Sequence, residues 1–139
     1  MKGDYRHGAT ICHEGVTLLR QARTQPDSVW FKLNSSLGEM YKKQNNQDSC
    51  YLYFSRANAI LQQHPELESR IAEYVIYHYN NQGMMYVRNN AYTEGLGYLI
   101  KALSVTEKQD ASQEDIALLQ NNLGGLYERL GQFQKAFSF

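Results

Sequence analysis

Small and large apolar residues return along this chain in a fixed order. Leu37-Gly38-Glu39-Met40-Tyr41, Gln82-Gly83-Met84-Met85-Tyr86 and Leu123-Gly124-Gly125-Leu126-Tyr127 each place a glycine three residues before a tyrosine. The glycines stand 45 and 41 residues apart. Four residues past each tyrosine comes Asn45, Asn90 or Gly131. Asn and Gly most readily take the left-handed conformation that ends a helix. Further columns follow each turn residue: an aromatic (Tyr92, Phe133), a small residue (Cys50, Gly95, Ala136), a large one (Phe54, Leu99) and alanine (Ala57, Ala102). Gly3, Tyr5, Gly8, Cys12 and Gly15 fit the same columns, so the turn residues Gly3, Asn45, Asn90 and Gly131 are spaced by 42, 45 and 41.

A period of this length with two helical stretches per unit predicts helix pairs. Small residues let two helix backbones approach, and large ones fill the adjoining turns. Gly38, Gly83 and Gly124 lie inside predicted helices, where glycine costs about 1 kcal/mol against alanine, so each needs close contact with a partner helix. The first helices are expected over about 27–44, capped by Asp27 or Ser28, over about 65–89 with Pro65 in the first turn, and over about 113–130 behind the capping box Ser112-Gln113-Glu114-Asp115. The second helices are expected over roughly 4–23, 47–63 and 91–108, with a last one beginning near Gln132.

Leu-Gly-x-x-Tyr, then Gly or Asn, an aromatic and Ala is similar to the tetratricopeptide repeat pattern. Asn122-Leu123-Gly124-Gly125-Leu126-Tyr127 through Gly131-Gln132-Phe133-Gln134-Lys135-Ala136 carries the resemblance best. The family's basic period is shorter than 41–45, its early tryptophan is missing, Gln82 stands in place of Leu, and Gln47 in place of the aromatic. The resemblance implies an all-α fold, a right-handed α-solenoid of antiparallel helix pairs. One repeat array is expected over 1–139, with a half repeat at 1–25, repeats at about 28–64 and 66–109, and a truncated one at 113–139. The apolar, unfinished end Ala136-Phe137-Ser138-Phe139 leads to the expectation of a piece of a larger protein.

Charge and composition narrow the functional classes. Lys and Arg total 14, as do Asp and Glu, giving a formal net charge of zero. Nucleic-acid binding favours a basic surplus or run, which this chain lacks. The first thirty residues contain no apolar run of signal-peptide length, and no stretch reaches the ~18 apolar residues of a membrane helix. A cytoplasmic location is the expectation. Cys12 and Cys50 are far apart and read as buried apolar side chains. His7, His13, His64 and His78 show no metal-ligand spacing. The neighbours Cys12 and His13 point about 100° apart on a helix, which disfavours a dyad. No metal, no cofactor and no catalytic residue is expected.

The resemblance implies instead that the first helices line a concave wall holding a protein or an extended peptide. Its positions would be Lys32, Ser35, Glu39, Lys42 and Lys43; Tyr77, Asn80, Met84, Val87 and Arg88; and Leu118, Asn121, Gly125, Glu128 and Arg129. Lys43, Arg88 and Arg129 form one column suited to carboxylates. They read equally as solvated cations near helix C-termini. Ser35, Asn80 and Asn121 form another, suited to bonding an extended backbone or simply to facing water. Tyr77, Met84 and Val87 offer an apolar floor, or else pack on the next repeat. The expected role is the sensory or interaction part of a transcriptional or signalling regulator. The competing reading is a structural scaffold that self-associates through terminal helices, with the Ile11, Val16, Leu18 and Leu19 face covered in a dimer.

Overall fold

The computed structural model describes residues 13–16 and 26–137. Among them the regular structure is helical and no strand occurs. Residues 13–16 form a helical turn. The elements that follow are α1 (Asp27–Lys43), α2 (Gln47–Gln63), α3 (Leu67–Arg70), α4 (Ala72–Arg88), α5 (Tyr92–Gln109) and α6 (Gln113–Phe137). The fold is all-α, built of antiparallel helix pairs of the α-solenoid kind. The chain divides into two compact units, Met1–Arg70 and Ile71–Phe139. No helix among the described residues is long and apolar enough to cross a membrane.

In the first unit α1 and α2 form a hairpin. Its turn is made by Asn45 at φ 61°. Asn45 N–H bonds to Lys42 O at 3.1 Å and Asn46 N–H to Tyr41 O at 2.9 Å, satisfying carbonyls that the end of α1 would leave open. The Asn46 side chain then accepts from Ser49 N at 3.2 Å and caps α2. Phe31, Leu37, Cys50, Phe54, Ala57 and Leu61 are buried. Gly38 makes this possible: a Cβ there would run into the Phe54 ring. At the open end, His64 Nε2 lies 3.2 Å from Asp27 Oδ2, joining the start of α1 to the end of α2. Neither Asp27 nor Ser28 caps α1. Pro26 takes the N-cap position with ψ 137° and no side-chain bond. Asp27 thereby falls in the first turn, where its carboxylate still favours the dipole.

The second unit repeats the hairpin and adds a third helix. Asn90 turns at φ 64°. Asn90 N–H bonds to Val87 O at 3.0 Å and Ala91 N–H to Tyr86 O at 2.9 Å. Gly83 and Gly95 face each other across α4 and α5: a Cβ on Gly95 would lie 2.9 Å from Gly83 O and 2.6 Å from Val87 Cγ2. After Asp110 at φ 51°, Ser112 Oγ accepts from Asp115 N at 3.2 Å and starts α6, as the capping-box pattern predicts. α6 packs on both α4 and α5. Leu119, Leu123 and Leu126 are its buried row.

Two expected boundaries are not where the sequence places them. The helix expected over 65–89 breaks at Ile71, which sits at φ −130° between α3 and α4. A β-branched residue tolerates this extended φ, and no glycine or proline flags the break. The turn expected at Gly131 does not form: α6 continues to Phe137, and no described glycine has positive φ. Glycine permits the left-handed turn without compelling it. The turn expected at Gly3 and most of the helix expected over 4–23, with the face at Ile11, Leu18 and Leu19, lie outside the described residues.

Candidate binding faces of the first helices

The outward stripe of α4 follows from its packing. Gly83 and Val87 are turned toward α5. Asn80 is buried, and its Oδ1 accepts from Asn122 Nδ2 of α6 at 2.7 Å. Tyr77 donates to the Asp115 carboxylate of α6, whose charge, followed by that hydrogen bond, raises the Tyr77 phenol above its ordinary range. These two bonds set the helices side by side. What remains toward solvent on α4 is Tyr74, 50% exposed, Tyr77, 41% exposed, half-buried Asn81 and Met84, and exposed Arg88. Spacings of three and four keep them on one face.

The equivalent stripe of α1 is Lys32, Ser36, Glu39 and Lys43. Ser35 beside it is half-buried, as is Lys42. Lys43 Nζ pairs with Glu39 Oε1 at 3.3 Å, an i,i+4 pair on a partly exposed surface. On α6, Asn121, Gly125, Glu128 and Arg129 are exposed and Leu118 is half-buried. A Cβ at Gly125 would meet nothing within 4 Å.

The structure therefore brings Lys43 to Glu39 and holds Tyr77 and Asn80 on α6. It leaves Arg88, Asn121 and Arg129 at the surface, and Val87 goes to the core. Asn81 and Asn122 escape the sequence reading. Each lies one residue from an expected position, and one residue on a helix is about 100° of rotation.

A second set of side chains ties each hairpin together. Tyr41 and Tyr53 stack with centroids 5.5 Å apart and planes 6° from parallel. Tyr86 and Tyr98 do the same at 5.5 Å and 3°. Arg56 lies over Tyr53 at 5.2 Å, and Lys101 over Tyr98 at 4.9 Å. All three columns recur at 45 residues. In the first unit His13 Nε2 also reaches Tyr41 Oη at 3.1 Å and Tyr53 Oη at 3.4 Å. Burial, and then the Tyr53 neighbour, raises the Tyr41 phenol.

The arrangement offers rings, amides and cations on helical surfaces. Burial pushes the Cys50 thiol up to about 11, so it stays protonated and unreactive near neutral pH. Among the described residues no three His, Cys, Asp or Glu side chains cluster so as to hold a metal ion.

Residues 74–139, from the first turn of α4 to the end of the sequence, match the tetratricopeptide repeat family model. No curated protein and no solved structure matches the chain.

Proposed function

We propose that this chain, whose residues 74–139 belong to the tetratricopeptide repeat family, is a non-catalytic module that holds an extended peptide or protein segment on the exposed stripes of its first helices. One observation carries the reading. The bonds Asn80–Asn122 and Tyr77–Asp115 lock α4 beside α6 while rings, a thioether and an arginine stay at the α4 surface. Tyr74 and Tyr77 supply rigid apolar area with a polar tip, and Met84 adapts to the shape laid on it. Arg88 and Arg129 close the stripes of α4 and α6, and Lys43 closes that of α1. Lys43 in the first unit, and Arg88 and Arg129 in the second, each suit the carboxylates of an acidic segment. Glu39, Lys42, Ser35 and Asn121 flank these positions and complete the proposed contact set. Asn80 contributes by positioning Asn122, since its own oxygen is engaged.

The elongated 41–45-residue period supports placing the module in a signalling or transcriptional regulator. Neutral net charge supports a protein partner over a nucleic acid.

The test is fluorescence anisotropy of the chain with labelled acidic peptides. Replacing Lys43, Arg88 and Arg129 together by alanine should abolish binding, and raising the salt should weaken the unmodified protein's affinity. Undiminished affinity in the triple variant overturns the reading. So does sedimentation showing a tight dimer that blocks the peptide, which would favour the scaffold.

A further inference from the structure

α4 carries charge of opposite sign at the two ends of its outward stripe. Glu73 stands at the start, Tyr77, Asn81 and Met84 follow, and Arg88 stands at the end. Steps of four, four, three and four residues keep all five on one side of the helix. α6 packs against α4, yet Glu73, Tyr77 and Arg88 are still exposed. Stacking of the next first helix therefore leaves them open. Glu73 and Arg88 are 15 residues apart, about 22 Å of helix, which an extended segment spans in about seven residues.

The neighbouring helix reinforces the acidic end. The bonds Tyr77–Asp115 and Asn80–Asn122 ascend along both helices, so α4 and α6 run in the same direction and their first turns lie together. Exposed Glu114 of α6 therefore joins Glu73. The Tyr77 phenol reports the convergence: Asp115 raises it most, by its charge and its hydrogen bond, and burial, Glu73 and Glu114 add to that. Acids in a first turn and a cation in a last turn also suit a helix's own dipole. On α4, however, rings lie between them. Tyr74 and Tyr77 expose aromatic surface beside the acids, and the bond to Asp115 holds the Tyr77 ring in place. Carboxylates beside aromatic rings are surroundings that suit a lysine or arginine side chain.

We propose that the α4 stripe receives an extended peptide in one orientation, with a lysine or arginine against Glu73 and Glu114, apolar side chains on Tyr77 and Met84, and an aspartate or glutamate about seven residues away against Arg88. The proposal rests on the peptide-holding reading and adds to it a cationic anchor and a fixed direction along α4.

The experiment measures the anisotropy of labelled peptides with the 139-residue chain. One peptide carries a lysine and a glutamate about seven residues apart around an apolar centre, and a second has glutamine in place of the lysine. The second should bind about fivefold more weakly, the scale of one exposed charge pair. A chain carrying Glu73→Gln and Glu114→Gln should bind both alike, at the weaker affinity, with an unchanged circular dichroism spectrum. Carbodiimide should couple the lysine of the bound peptide to Glu73 or Glu114, a product located by mass spectrometry. Equal binding of the two peptides to the unmodified chain, a preference that survives in the variant chain, or coupling only at other carboxylates overturns the proposal and leaves the peptide-holding reading standing. Binding of neither peptide overturns both.

Discussion

Tyr98 of α5 lies flat against Tyr86 of α4, ring centroids 5.5 Å apart and planes 3° from parallel, with Lys101 Nζ 4.9 Å from the outer ring. Tyr53 and Tyr41 repeat the relationship one period earlier, under Arg56. Each stack joins the two helices of one hairpin near its turn. It fixes the register of the pair, because a one-turn slip would separate the rings by about 5.4 Å.

The stack should therefore couple measurably. Tyr86→Leu and Tyr98→Leu keep apolar bulk and remove the ring pairing. A double-mutant cycle in urea unfolding is expected to return an interaction of about 0.5–1.5 kcal/mol. Strictly additive losses would mean the rings only fill space.

The helix glycines should split by environment. Gly95→Ala drives a methyl to within 2.9 Å of Gly83 O and 2.6 Å of Val87 Cγ2. Overpacking of this kind costs about 1–3 kcal/mol and outweighs the gain in helix propensity. Gly124→Ala meets open space and should stabilise α6 by up to about 1 kcal/mol. Denaturant midpoints moving in opposite directions confirm the contrast; a rise for both would show that α4 and α5 are not in close contact.

Much of this architecture was readable beforehand, for identifiable reasons. Asn45 and Asn90 reveal their turns because few residue types accept positive φ, and Gly38 and Gly83 reveal close packing because a helix otherwise disfavours them. Tyr53 and Tyr98 recur at the same period, but spacing alone does not name the ring each one meets. Which residue a tyrosine meets across a turn depends on the rotation of both helices, not on spacing. The same rotation decides that Asn80 turns inward and Asn81 outward. Gly131 resembles the earlier turn residues in type, yet glycine permits a turn without compelling one, and α6 runs straight through it. Ile71 carries no local signal, because its departure from helix is within reach of any β-branched residue.

Asn80 and Asn122 make a prediction about repeat stacking. Asn122→Leu removes the donor and leaves Asn80 Oδ1 buried without its partner, which should cost about 1–3 kcal/mol. Adding Asn80→Leu removes the stranded oxygen and should recover part of that loss. Thermal unfolding of the two single variants and the double variant reads the pattern. A double variant less stable than the sum of the singles would mean the pair is not an isolated polar contact.

His78 makes the second unit sensitive to acid. Its side chain is fully buried in α4, and burial lowers its pKa to about 3 from an ordinary value near 6.5. The unfolded chain therefore binds a proton between these values while the folded chain does not. Stability from this group is complete above about pH 6.5 and declines as pH falls toward 3, by up to about 1.4 kcal/mol per pH unit. Urea midpoints measured at pH 7.5 and pH 5 should drop in the unmodified protein. His78→Gln removes the titrating ring and should flatten the drop, whatever it does to stability at neutral pH. An equal drop in both proteins would assign the acid sensitivity to groups other than His78.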